Sequence, residues 1–420
     1  MAAKKSLFGH LYGHFYGGAL LVVIGMFGAQ LTQAQQVNQL LDSDESFLCV
    51  SEQILYDDNL FRLNDNADVQ QRLGPEASRD DRILRTSACA NGNWRLASQQ
   101  FVLTAWIDDN RYQKNKMLDY VSGNGKFTWD WRSGRDWYGK LGGNYQHTLG
   151  SFLNDRALVK DLVDAAQYFG EINHDIGAHV SVRLAGSQTD TTHDAESRQV
   201  DNYRSSTGEA GLTLTSRAEN YIGATYKFTS ARYPQELIVN NVAIERDYEE
   251  NTVSGRFRYG LGSRTVLRGS GGYLQRKYVH SSDNDYADTV WRAILSWQPS
   301  NAVQFDFAGW KELGSYFDSE SDYFVSRGAS ITPQWSPRSS FKLSATAAYA
   351  KQKYLERSLT VLEATAREDE VLSGTLEAVY KAFEFLDVDL SYRYEQRDST
   401  LPAYGYDDRI AALLVRARFW

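Results

Sequence analysis

Arginine carries most of the chemical potential of this chain. Arg256, Arg258, Arg264, Arg268, Arg276 and Arg292 crowd into one stretch of a chain whose acids outnumber its bases, 53 to 45. Guanidinium groups placed this way do one of two things. Rows of them along a water-filled passage draw anions, through their field and through bidentate contact with carboxylates. Otherwise they pair with acids on neighbouring elements and simply keep an interior wet. Charges of both signs recur on the polar faces elsewhere: Arg183, Asp306, Asp389, Arg393, Glu395, Arg416 and Arg418. Trp106 and Phe169 fall on similar faces, where they either stack on sugar rings or pack against a loop folded inward.

Other residue types offer less. Asp57, Asp58 and Asn59 gather the oxygens that calcium takes from flexible loops. They lack the glycine and the distal glutamate of an EF-hand, and a turn in which the side chains bond their own backbone accounts for them, so no metal is expected. Cys49 and Cys89 are the two cysteines, with no CxxC pair and no Cys/His cluster at metal spacing. They face each other if the first two strands pair residues whose numbers sum to 138. In an oxidising compartment such neighbours form a cross-strand disulfide, and otherwise they stay as two thiols. Beyond the N-terminal leader the histidines are His147, His174, His179, His193 and His280, too scattered for a Ser-His-Asp site. No catalytic residues and no cofactor are expected, and the acidic balance argues against nucleic acid.

The elements that must position these groups read as strands. Lys4 and Lys5, the apolar run Ala19–Phe27 and the small residues before Ala34 read as a secretory signal over 1–34. Its removal takes two lysines and moves net charge from −8 to −10. Residues 35–46 are a polar lead-in. From 47 to 420, long segments alternate apolar and polar residues with period two. Phe127, Trp129 and Trp131 oppose Lys126, Thr128 and Asp130. Leu386, Val388, Leu390, Tyr392 and Tyr394 oppose Asp387, Asp389, Ser391, Arg393 and Glu395.

The connections sort by length. Short turns are expected at Asn91–Asn93, Arg132–Arg135, Asn173–Ile176, Ser216–Asn220, Leu261–Arg264, Gln298–Asn301, Ser336–Ser339 and Lys381–Glu384. Longer polar connections fall between them, the first over 59–80, which is a candidate for a loop folded into the lumen. Short periplasmic turns opposite longer extracellular loops mark single-chain outer-membrane barrels. The fold class is therefore all-β, an antiparallel transmembrane barrel of about 18 strands, with 16 as the alternative. The last segment, Ile410–Trp420, alternates and ends on an aromatic, although Trp420 falls on the face opposite Phe419.

One string is more specific. Tyr56-Asp-Asp-Asn-Leu-Phe-Arg62-Leu63 resembles the motif found just after the signal peptide in the EpsL-type exopolysaccharide outer-membrane proteins of the β-barrel porin 2 group. Asp108-Asp-Asn-Arg-Tyr112 and Asp81-Arg-Ile-Leu84 are similar to later pieces of that family. The resemblance implies a Gram-negative outer-membrane channel that takes part in export of an extracellular polysaccharide. Implied partners are the polymer, possible periplasmic export proteins, outer-membrane lipid and the outer-membrane assembly machinery. A general or substrate-specific diffusion porin is the alternative function, and a barrel enzyme is a third.

Overall fold

The computed structural model describes residues 46–153, 158–239, 241–244, 246–279, 285–315, 321–356 and 367–420. The expected signal over 1–34 and nearly all of the 35–46 lead-in lie outside the described residues.

Alternating patterning over 11 to 18 residues produces strands long enough to cross a bilayer at a tilt. The first nine are β1 (Phe47–Asp57), β2 (Asp81–Leu96), β3 (Gln99–Tyr112), β4 (Tyr120–Ser133), β5 (Trp137–Leu149), β6 (Leu162–Ile176), β7 (Val180–His193), β8 (Tyr203–Thr215) and β9 (Tyr221–Arg232). A short hairpin, β10 (Leu237–Val239) and β11 (Val242–Ile244), stands apart in the next loop. The wall resumes with β12 (Tyr248–Gly260), β13 (Thr265–Tyr278), β14 (Tyr286–Ser300), β15 (Val303–Ser315) and β16 (Ser321–Arg338). It ends with β17 (Phe341–Glu356), β18 (Glu368–Phe383), β19 (Leu386–Ser399) and β20 (Tyr406–Phe419).

These make one 18-stranded antiparallel sheet, and β1 pairs with β20 to close it. Closure leaves no edge strand, which a β-protein in lipid requires. Leu48, Val50, Leu141, Leu184, Leu376, Leu390 and Leu413 stand exposed on the outer face. In water so wide an apolar belt would aggregate; around a closed cylinder it is the surface that meets lipid. Trp137, Trp297, Trp335 and Phe383 cluster outward near the short-turn end, and Tyr56, Tyr145 and Tyr349 near the other, as interfacial girdles do.

Short and long connections alternate as expected, and six of the eight short turns coincide or overlap with the expected positions. Two do not. At Asn91–Asn93 the chain stays extended, and β2 runs on to turn at Ala97 and Ser98. Asn91 points inward and accepts a hydrogen bond from Thr104 Oγ1 at 3.1 Å. A Cβ on Gly92 would sit 2.3 Å from the Trp94 ring, so this glycine serves a close approach within a strand. Ala97 then turns with φ 54°, a left-handed residue that no sequence signature announced. Asn173–Ile176 likewise remains in β6, with the turn at 177–179.

Candidate functional site

The lumen is the candidate site, and its long-loop end is built around the Tyr56–Leu63 string. After β1 the loop 58–80 folds inward. Leu60, Phe61, Leu63, Leu73 and Ala77 bury themselves against Leu55, Ile83, Tyr112, Leu149, Ile410 and Ala412 of the inner wall. The Phe61 and Phe152 rings meet edge-on at 4.7 Å. The loop contains one helical turn, α1 (Val69–Leu73), whose N-terminus is capped by the Asp68 carboxylate accepting from the Gln71 backbone N–H.

Polar residues fix this loop in place. Asn59 Nδ2 donates to the carbonyl oxygens of Leu63 (2.8 Å) and Asp407 (2.7 Å), and its Oδ1 accepts from the Leu63 N–H. Arg62 Nη1 lies 3.1 Å from Asp57 and 3.0 Å from Asp408, all three being buried. Burial alone would lower the Arg62 pKa; Asp57 and Asp408 outweigh it and raise it above its ordinary value. Asp57, Asp58 and Asp408 bring carboxylate oxygens within 4.8 Å of one another. Arg62 is the cation between two of them, and Asp57 Oδ1 accepts from the Asn59 backbone N–H at 2.9 Å, a turn bond of the expected kind, although Asp57 and Asn59 are buried. Asp81, fully buried, accepts from the backbone N–H groups of Gln113, Lys114 and Asn115 and so ties the next loop to the same end. This tether escaped the sequence reading, since nothing marks which aspartate meets a ring of amides.

A second inward feature lies across the wall. β14 and β15 share no register positions beyond Trp291 and Lys311 toward the long-loop end. There Leu313, Tyr323 and Val325, on the parity that faces lipid lower down, pack with Leu274 and Tyr278 of the inner face. The β15–β16 hairpin therefore leans into the lumen. Lys311 bridges to Asp288 of β14 at 2.6 Å.

The lumen charges divide into two sets. Arg183 bridges Glu171 (3.0 Å) and Glu209, Arg276 meets Glu250 at 2.8 Å, and Arg292 grips Glu312 with two bonds of 2.7 and 2.6 Å. Arg393 pairs with Glu395, and Arg416 and Arg418 both reach Asp387. Asp306 accepts from Gln304 and Gln334, and Asp389 faces inward on β19. For these arginines the structural reading holds: they neutralise acids across the wall. Arg256, Arg258 and Arg268 also face inward but have no carboxylate within 4.0 Å among the described residues. Arg264 departs from expectation. It is exposed in the 261–264 turn and donates to the Pro299 carbonyl oxygen at 2.6 Å, because β12 ends at Gly260.

Trp106 and Phe169 point inward, and neither belongs to the apolar cluster beneath loop 58–80. The described histidines do not gather. His147 meets Asp164 at 2.8 Å, His193 meets Asp161 at 2.7 Å, His174 stacks on Trp137, and His179 contacts the Thr215 carbonyl oxygen in a turn. His280 lies outside the described residues.

The β1–β2 register sums to 138 throughout and sets Cys49 opposite Cys89 on the lumen side, with Cα atoms 4.9 Å apart and the sulfurs bonded. That separation suits a disulfide. Mass spectrometry of unreduced protein is expected to find the two peptides linked and no free thiol. The double change Cys49→Ser, Cys89→Ser is expected to lower the heat-denaturation temperature while leaving the barrel closed, since the β1–β2 ladder does not depend on the link. Two alkylatable thiols in unreduced protein would refute this.

Comparison with known proteins follows the same lines. A family model described as "Putative beta-barrel porin 2" matches residues 195–419. No curated protein matches the chain. Among solved structures, OccK9 (OpdG) of Pseudomonas aeruginosa is similar, with 12% identity over 90% of this chain and 99% of that one, at a TM-score of 0.51. A BenF-like porin from Pseudomonas fluorescens Pf-5 is similar at 8% identity, covering 89% and 99%, TM-score 0.50. OccK2 (OpdF) of P. aeruginosa is similar at 8% identity, covering 90% and 98%, TM-score 0.50. At such identities the likeness is one of fold.

Proposed function

Because the chain belongs to the β-barrel porin 2 family and forms a Gram-negative outer-membrane barrel, we propose that it is a passive diffusion channel for small hydrophilic solutes. One observation carries this reading. Loop 58–80 is anchored on one side of the mouth, against β1, β2, β3, β5 and β20, while the facing wall from β7 to β13 presents charges and hydroxyls. A barrel of this strand number encloses room for water, and a polar wall beside a loop narrows that path and filters by size. One neighbour of the same fold is named a BenF-like porin, which agrees with this reading.

Export of an extracellular polysaccharide, implied by the Tyr56–Leu63 resemblance, has weaker support. Those residues are spent on holding the loop: Asn59 and Arg62 bond to the chain itself. The attribution to EpsL-type proteins, and with it the polymer and periplasmic export proteins as partners, gains nothing from the fold. No catalytic role is assigned.

Purified, refolded protein in planar bilayers is expected to give stepwise currents. In proteoliposomes it is expected to admit pentoses faster than disaccharides. Absence of current and of swelling would reject the channel. A deletion strain is expected to keep its surface polysaccharide; loss of polymer with its retention in the periplasm would favour export instead.

A further inference from the structure

Arg256, Arg258 and Arg268, three lumen arginines without acidic partners, lie together, and the register shows how. Arg258 stands directly opposite Arg268 across the β12–β13 pair. Like charges in that position repel and destabilise a sheet unless something negative lies between them. One row further from the short turns, Arg256 sits between Gly223 and Ser270. Arg256 Nη2 donates to Thr213 Oγ1 at 2.6 Å, while its buried Nε has no partner. Arg258 Nη1 donates to the Glu219 carbonyl oxygen at 3.0 Å. Each guanidinium has five N–H donors, so most of this set is uncommitted.

The surroundings leave room. The next row carries only short side chains: Gly211, Thr225, Ser254 and Gly272 are successive neighbours across β8, β9, β12 and β13. Gly223 forms the floor beneath Arg256. A Cβ there would lie 2.7 Å from the Leu212 carbonyl oxygen and 3.1 Å from Arg256 Nε. Hydroxyls, open space and a concentration of positive charge meet at one place on a lumen wall where Arg183, Arg276, Arg292, Arg393, Arg416 and Arg418 are neutralised by acids.

We propose that Arg256, Arg258 and Arg268 form an oxyanion station in the lumen near the short-turn end, which receives solutes carrying a carboxylate. The planar guanidinium fork matches a carboxylate bidentately, and two forks on adjacent strands can share one. This deepens the diffusion-channel reading and rests on it for transport, but binding at the station does not require current.

Two measurements test it. Reversal potentials under a salt gradient are read for the unaltered protein and for the Arg256→Gln, Arg258→Gln, Arg268→Gln variant. The unaltered channel is expected to favour chloride over potassium, and the variant to lose that preference severalfold. The single variant Arg268→Glu, which gives Arg258 a cross-strand partner and so favours folding, is expected to do the same. Current with unchanged selectivity would overturn the station while leaving the channel standing. In detergent, labelling of arginines by phenylglyoxal, read peptide by peptide, is expected to slow at these three positions when gluconate is added, and not at Arg183 or Arg292. Protection without any current would reject the channel and keep the station. Labelling indifferent to gluconate, or slowed equally by chloride at the same ionic strength, would overturn the station. If inorganic phosphate protects and gluconate does not, the carboxylate assignment is wrong.

Discussion

Replacing Arg62 by Met is expected to release loop 58–80 from the wall. Arg62 is the sole positive charge placed within 4.0 Å of both Asp57 and Asp408 among the described residues, and both carboxylates are almost wholly buried. Methionine preserves most of the side-chain volume and removes the charge. Two carboxylates then face each other without a counter-ion, and removing one partner of a buried ion pair costs about 3–5 kcal/mol. The Asn59 bonds and the apolar contacts of Leu60, Phe61 and Leu63 remain, but they must then close over an uncompensated buried charge. The loop backbone turns at Arg62 with φ 55°, a left-handed conformation held by the same contacts. The loop carries Arg72 and Arg79, so trypsin reports its freedom directly. The variant is expected to be cut there much faster than the unaltered barrel and to pass a larger single-channel current. Adding Asp57→Asn and Asp408→Asn is expected to restore much of the resistance, because the uncompensated charge is then gone. Equal cleavage rates before and after Arg62→Met would show that the apolar contacts of Phe61 and Leu63 hold the loop alone.

That anchor also shows where the sequence could be read and where it could not. Period-two alternation marks faces because each strand is seen against only two environments, lipid and lumen. Connection length marks sidedness because periplasmic turns need only reverse the chain. Both signals are local, and both survive in the fold. The 138 sum that opposes Cys49 to Cys89 follows once the first hairpin is granted. Long-range pairing is another matter. Nothing near Arg62 announces Asp408, which arrives from the last strand only when the barrel closes. The same holds for the split among the lumen arginines: Arg276 finds Glu250 on the next strand, while Arg258 finds Arg268. The inward fold of the first long loop was legible from its length, and its anchors left a trace as well. Leu60, Phe61 and Leu63, three large apolar residues in a loop otherwise suited to water, had to be buried somewhere. Asn91-Gly92 misled because a turn dipeptide and a close approach inside a strand use the same residues for the same lack of a side chain. The lean of the β15–β16 hairpin was invisible, since Leu313, Tyr323 and Val325 keep the parity of lipid-facing residues and change only what they touch.

The alternation itself can be put to a test in which neighbouring residues give opposite results. Leu376 and Glu377 are consecutive near the middle of β18. Leu376 is 53% exposed on the outer face, opposite Tyr392 of β19. Glu377 points inward and accepts from Ser344 Oγ at 3.1 Å. Leu376→Arg puts a guanidinium into hydrocarbon at mid-height, where long side chains cannot reach either interface. A change of this kind costs about 2–4 kcal/mol in a membrane barrel. Folding into lipid vesicles is expected to need less denaturant to reverse, or to fail outright. Glu377→Gln, one residue away, changes one charge in a wet wall and keeps the acceptor for Ser344. It is expected to leave folding nearly unchanged. The contrast depends on which way each side chain points, because hydrophobicity and charge alone would rank the two positions without regard to lipid. If Leu376→Arg folds as readily as Glu377→Gln, the outer face of β18 does not meet hydrocarbon, and the assignment of lipid and lumen faces around the whole cylinder fails with it.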